Sequence, residues 1–67
     1  MAAARLMLGA YMRAEGLHSP EAAISDALME GHRVELHGAE GAACSETEAV
    51  RALRAGRTLY VVRLEAA

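Results

Sequence analysis

Three histidines and one cysteine are the residues whose chemistry could serve catalysis or metal binding in this chain. A zinc site needs three or four ligands in tight geometry. His32 and His37 would lie on opposite faces if both belonged to one strand. A set of His37, Cys44 and a carboxylate matches no known zinc spacing. The histidines are therefore interpreted as surface residues in turns, and no metal or cofactor is expected.

Cys44 has one feature that would favour reactivity. It directly precedes Ser45, the predicted N-cap of a helix, and a helix N-terminus favours the thiolate form of cysteine. With His37 as the base, Cys44 could be a nucleophile, which leaves a small thiol enzyme as one alternative. A small residue that fills a loop is the more common interpretation, and the carboxylates show no acid–base pairing. We therefore predict that the chain is not an enzyme.

Three of the seven basic residues, all of them arginines, lie close together near the C-terminus. Arg51 and Arg54 are three residues apart and share one face of a predicted helix, and Arg57 follows at the turn. Such a cluster can bind phosphates or a carboxylate-rich partner. The glutamates nearby in the sequence could instead pair with it. A solvated salt-bridged face, a protein contact and a nucleic-acid contact all remain open for these arginines.

The length and composition limit what this chain can be. Its 67 residues are expected to form a single domain, residues 1–67, with an aliphatic core because Tyr11 and Tyr60 are the only aromatic residues. A core of this size is expected to supply about 3–5 kcal/mol of stability. The net charge of −2 is not the basic footprint of a nucleic-acid-binding protein. No apolar run approaches the roughly 20 residues of a membrane span, and we expect a cytoplasmic protein.

Sequence signals for helix ends and strands predict five elements. A first helix over residues 2–15 is Ala-rich and ends at Gly16. A second helix begins at Ser19-Pro20, and a third begins at a capping box formed by Ser45 and Glu48. Gly31 ends the second helix and Gly56 ends the third; strands are predicted over residues 33–37, where polar and apolar residues alternate, and over residues 58–64.

The predicted order is therefore α-α-β-α-β, an α/β domain with α+β as the alternative. Its two strands could pair in parallel through the third helix or antiparallel. A sheet of two strands is marginal alone, so a second copy could complete four strands. The first helix is apolar nearly all round, which also indicates a buried or shared face. We predict a homodimer, with a compact monomer as the alternative; the predicted self-association residues are Leu6, Leu8, Tyr11 and Met12.

In size, mildly acidic composition and helix–strand mix, the chain resembles the small proteins with which phages and mobile elements block host machinery, anti-CRISPR inhibitors among them. Those inhibitors share no common motif, so the resemblance assigns no role to any single residue. It implies a non-enzymatic inhibitor that binds a host protein or nucleoprotein complex and blocks it sterically. Two other functions remain open: a small dimeric DNA-binding regulator or antitoxin, and an accessory subunit of a larger complex.

Charged side chains are the candidates for partner contact in such an inhibitor. Carboxylates would meet basic residues that normally hold phosphates, and arginines would anchor the rim of the interface. Direct nucleic-acid contact is not expected, because the second predicted helix carries Asp26 and Glu30 and no basic residue. The predicted partner-binding residues are Glu30, Glu35, Glu40, Arg51, Arg54 and Arg57.

Overall fold

The computed structural model describes residues 3–64, and within that range the chain forms three strands and three helices. In chain order these are β1 (Ala3–Met7), α1 (Leu8–Glu15), α2 (Pro20–Met29), β2 (Arg33–Leu36), α3 (Glu46–Arg54) and β3 (Leu59–Leu64). The strands form one sheet in the order β1-β3-β2. Both pairings are antiparallel, which makes the domain α+β, and the parallel crossover that the sequence left open is not formed.

The strand at the start of the chain corrects the predicted topology. A helix was predicted from residue 2, which lies outside the described residues, but the structure forms β1 first and begins α1 at Leu8. Alanine-rich sequence favours a helix only weakly, and tertiary pairing commonly overrides that preference. Here the last strand has large apolar groups on both faces, and it lies in the centre of the sheet with β1 along its second edge.

This third strand also changes the expected sheet. The prediction of four strands in a dimer assumed two strands in each chain, whereas residues 3–64 contain three. Self-association itself stays a prediction. Gly9 is the second residue of α1, where glycine does not carry the cost that it has in the interior of a helix.

Apart from the start of α1, the helices begin and end close to the positions that the sequence signals predicted. Gly16 follows α1 with a φ of 69°, a left-handed conformation that glycine adopts without strain. The Ser19 side chain accepts a hydrogen bond from the backbone N–H of Ala22 at the start of α2. Ser45 and Glu48 form the predicted capping box of α3, in which each side chain accepts a hydrogen bond from the other residue's backbone N–H.

Two rows of side chains define the two faces of the sheet. Leu6, Val61 and Val34 lie side by side across the strands, and the next row along the strands lies on the opposite face because side chains alternate. The helices cover the face that holds Leu6, Val34 and Val61. The core on that side comprises Leu8, Tyr11, Ala23, Ile24, Ala27, Val34, Ala49, Ala52, Leu59 and Val61. The opposite side of the sheet, called the outer face below, carries Arg5, Met7, Arg33, Glu35, Tyr60 and Val62.

Candidate functional site

Glu35 was predicted to face a partner, but the structure buries it on the outer face with 1% of its surface exposed. Its carboxylate lies 3.1 Å from Nε of Arg33 and 3.6 Å from a terminal nitrogen of Arg5. It also accepts a hydrogen bond from the backbone N–H of Gly41. A buried carboxylate needs such partners, and two guanidinium groups and an amide satisfy this one. The Glu35 carboxylate is therefore directed at these groups and not at solvent, which corrects the exposure that the prediction assumed.

The other two predicted carboxylates lie in different places. Glu40 is exposed and contacts Arg5 at 3.1 Å, so Arg5 joins it to Glu35. A hydrogen bond from the backbone N–H of Gly38, together with Arg5, lowers the pKa of the Glu40 carboxyl below its ordinary value. Glu30 follows the last turn of α2, and no ion pair or hydrogen bond among residues 3–64 links it to this group. The three acids do not form one anionic patch.

Aromatic rings complete the network on the outer face. The guanidinium carbon of Arg5 lies 4.3 Å from the ring centre of Tyr60, a cation–π contact. The Tyr60 hydroxyl and Nδ1 of His37 are 3.0 Å apart and share a hydrogen bond. The sequence interpretation missed this network because it placed Arg5 on a helix. No local signal marked the strand, because Arg5 is the one polar residue of β1 and polar and apolar residues do not alternate there.

The arginines of α3 are arranged differently from the charges of the outer face. Arg54 makes two hydrogen bonds to the carboxylate of Glu21 on α2, at 3.1 and 3.3 Å. Arg51 and Arg57 are exposed, and neither forms an ion pair with another residue in the described range. Arg51 does help to lower the pKa of the Glu48 carboxyl, after the hydrogen bonds from Ser45. We call Arg51, Arg54 and Arg57 the arginine ridge.

Three shallow grooves adjoin the arginine ridge. Groove A, of about 460 Å³, is lined by Glu46, Thr47, Val50, Arg51 and Arg54. Groove B, of about 370 Å³, is lined by Leu36, Cys44, Glu48, Arg51, Ala52, Ala55 and Arg57. Groove C, of about 260 Å³, is lined by Met7, Leu8, Gly9, Met12, Pro20, Leu53, Arg57, Thr58 and Leu59. Arg51 thus borders two grooves and Arg57 borders two, so the ridge separates three concave surfaces. Grooves B and C contain several aliphatic side chains, whereas Val50 is the one aliphatic residue that lines groove A.

The predicted self-association residues lie partly inside the domain. Leu8 and Tyr11 belong to the core of the single chain, and Leu6 and Met12 are half-buried against it. Little of Leu8 or Tyr11 remains for a second chain to contact. The apolar circumference of this segment is explained within the monomer, because β1 and α1 both pack against the same core.

Three further polar groups are buried or partly buried: the Tyr11 hydroxyl, the His32 ring and the Cys44 thiol. The buried Tyr11 hydroxyl donates a hydrogen bond of 2.8 Å to Asp26, and burial together with this bond raises the pKa of Tyr11. The ring of His32 lies edge-on to that of Tyr11, and its Nδ1 is buried without a hydrogen-bond partner in the described structure. Cys44 is half-buried, and its backbone N–H donates to the carbonyl of Val34. Within residues 3–64, no three His, Cys, Asp or Glu residues are grouped as metal ligands.

Comparison of the chain with protein-family models, with curated proteins and with solved structures finds no match. None of the helices within residues 3–64 combines the length and the apolar character needed to cross a bilayer. Among the described residues, charged side chains are concentrated on the outer face and on the arginine ridge.

Proposed function

We propose that this protein is a non-enzymatic binding module that contacts a partner protein through the arginine ridge and the grooves beside it. The proposal rests on the exposure of Arg51 and Arg57 and on their lack of ion pairs within the described range. Both are exposed, border two grooves each, and form no ion pair with any residue in the described range. Their hydrogen-bonding capacity is directed at solvent, where a partner's carboxylates can reach it.

The contrast with the outer face supports this choice of surface. There Arg5 and Arg33 are held by Glu35 and Glu40, so a partner would have to break existing ion pairs to bind them. On the arginine ridge that cost applies to Arg54 alone. Arginine beside the aliphatic residues of grooves B and C is also a composition that protein interfaces favour, because the flat guanidinium packs on apolar surface while it donates hydrogen bonds.

The proposed action is steric, as in the anti-CRISPR inhibitors that the chain resembles in size and composition. The protein would cover part of a host nucleoprotein complex in the cytoplasm of the host cell. Because Glu35 is buried and Glu40 is held by Arg5, we do not propose that these carboxylates imitate phosphates. The partner surface would instead be acidic, with apolar side chains that fit the grooves.

Duplex DNA is the competing ligand for an arginine cluster. Phosphate contacts would explain Arg51 and Arg57, but Glu46 and Glu48 occupy the first turn of the same helix. Acidic residues at that position repel a phosphate backbone, whereas they are compatible with a protein partner that offers both charge signs. We therefore treat DNA binding as an outcome that the experiment must be able to reveal.

The test is affinity capture with tagged protein from a lysate of the cells in which the protein acts, with and without nuclease. The variant Arg51→Gln/Arg57→Gln removes both unpaired charges and keeps the side chains long. The control Arg13→Gln removes an exposed arginine from the last turn of α1 that is not among the lining residues of grooves A, B and C. We expect the native protein and the control to retain the same partner after nuclease treatment. For the double variant we expect at least about a tenfold weaker Kd, since a hydrogen bond to a charged group contributes about 1.5–3 kcal/mol.

Two results would contradict the proposal. Equal capture by the double variant and the control would mean that the partner binds elsewhere on the molecule. Capture that disappears on nuclease treatment, together with a salt-dependent affinity for duplex DNA, would assign the arginine ridge to nucleic acid.

A further inference from the structure

The two outer edges of the sheet differ in how they are covered. The edge of β2 is partly paired, since Ala43 forms a bridge with Glu35 and the backbone N–H of Cys44 donates to the carbonyl of Val34 at 2.8 Å. The edge of β1 that faces away from β3 pairs with no residue in the described range. Free backbone N–H and C=O groups along such an edge are a template for another strand.

Proteins commonly protect a free edge with charged side chains, and β1 carries one charged residue, Arg5. The guanidinium of Arg5 does not stay at the edge. It lies over Tyr60 of the central strand, and it reaches Glu35 on β2 at the far side of the sheet. The charge that could repel an incoming strand is therefore drawn inward and neutralised. The side chains left along the edge are apolar: Leu6 is half-buried, and Met7 is 57% exposed.

We propose that β1 is a self-association edge, and that its occupant is β1 of a second copy of this chain. An antiparallel pair of identical strands is related by a two-fold axis, so one strand can satisfy both sides of the interface. The two sheets would join into one, with the helices of both copies on the same side. This interface touches groove C at Met7 but includes no residue of the arginine ridge, and the proposal does not depend on the function proposed above.

The second copy fits this edge better than an unrelated strand because of its side chains. In the register that sets Leu6 opposite Leu6 of the other copy, Met7 lies opposite Arg5 and diagonally across from Met7, so apolar groups meet near the axis. The neutralised Arg5 of each copy would not oppose the approach. A short ladder buries little area, so we expect a weak, concentration-dependent dimer and not an obligate one.

Sedimentation equilibrium on the purified protein, from about 10 µM to about 1 mM, tests the proposal. Met7→Lys puts a positive charge at the edge. The two-fold axis brings this charge close to the same substituted position and to Arg5 of the other copy, and like charges repel. Met29→Lys is the matched control, because Met29 is another exposed methionine, 83% exposed, on α2 and away from the sheet edge. We expect the native protein and Met29→Lys to dimerise equally, and the dimer of Met7→Lys to be at least tenfold weaker.

Hydrogen exchange on the same samples locates the interface. Amide protection in β1 should rise with protein concentration in the native protein and should not rise in Met7→Lys. A native chain that stays monomeric over the whole range would overturn the proposal, whatever Met7→Lys does to the capture of a partner, since Met7 also lines groove C. Dimerisation that Met7→Lys leaves unchanged, or protection that rises in α3 and not in β1, would overturn it as well.

Discussion

Tyr11 shows how much one polar contact matters in a chain this small. Its ring is fully buried among core residues, and its hydroxyl reaches Asp26 fifteen residues later at 2.8 Å. A buried phenol needs such a partner, and a carboxylate acceptor makes the bond stronger than a neutral one. The bond also ties α1 to α2, so it adds to stability and fixes how the two helices pack.

Replacement of Tyr11 by Phe should lower the free energy of unfolding by about 1–2 kcal/mol at pH 8, because the ring stays and only the bond to Asp26 is lost. Urea unfolding of the two proteins at one pH measures the difference. In a domain of this size it corresponds to a fall in Tm of about 4–8 °C for each kcal/mol. A variant as stable as the native protein would mean that the hydroxyl is equally well satisfied by water.

The hydrogen bond between Tyr11 and Asp26 also predicts how the free energy of unfolding changes with pH. Burial and Asp26 raise the pKa of Tyr11 in the folded state above its ordinary value of 10.0. The unfolded chain therefore loses this proton first, so the contribution of Tyr11 is complete below about pH 10 and is lost as the pH rises beyond it. We expect the native protein to lose stability more steeply than Tyr11→Phe between pH 9 and 11. Tyr60→Phe, which keeps Tyr11, should retain the steep loss.

At the level of residues, the sequence predicted where charges lie along the chain but not which charges meet. Arg51 and Arg54 share an exposed helix face, as their spacing predicted. Glu35 could not be assigned in the same way. Its burial depends on Arg5, which lies thirty residues earlier and two strands away, and no local pattern reports a contact across a sheet. The arginine ridge was visible in the sequence, whereas its grooves depend on tertiary packing.

At the level of elements, helix ends were predicted better than the first strand. The caps of α2 and α3 are local signals, since one side chain bonds to a backbone N–H three residues away. The strand β1 has no such signal. Its alanines favour a helix, and it forms a strand because the central strand β3 has a second edge to fill. Local chemistry therefore predicted the elements from α2 onward, whereas β1 depends on the free edge of β3, which is distant in the sequence.

The capping box predicts an ordering of two substitutions. Ser45→Ala breaks a reciprocal pair in which Ser45 and Glu48 each accept a backbone hydrogen bond, at 3.1 and 2.8 Å. Ser19→Ala removes one longer bond of 3.3 Å, and the following Pro20 still favours the start of its helix. We expect Ser45→Ala to cost about 1–2 kcal/mol and Ser19→Ala less than about 1 kcal/mol. Thermal unfolding of both variants measures the order, and a reversed order would show that the box adds nothing to a single cap.

At the level of the whole molecule, the helices cover one face of the sheet and a charge network closes the other. The core holds small residues at the helix contacts, with Ala23, Ala27, Ala49 and Ala52 among its members. Small side chains let the helices lie close to the sheet, but they contribute little buried area each. A domain of this size is expected to be stable by only about 3–5 kcal/mol. Association through a free edge is one way in which so small a core gains further stability.

This narrow margin makes the fold sensitive to one large core residue. Ile24 is fully buried on α2, and Ile24→Ala should cost about 2–5 kcal/mol, comparable to the whole stability expected of the domain. We expect the variant to be largely unfolded at 37 °C when followed by circular dichroism. Met29→Ala on the same helix should change the free energy of unfolding by no more than about 0.5 kcal/mol, because that side chain is exposed. If Ile24→Ala stayed folded and unfolded cooperatively, the free energy of unfolding of the native domain would be larger than its core implies. If the variant regained structure at high protein concentration, the additional stability would come from the dimer.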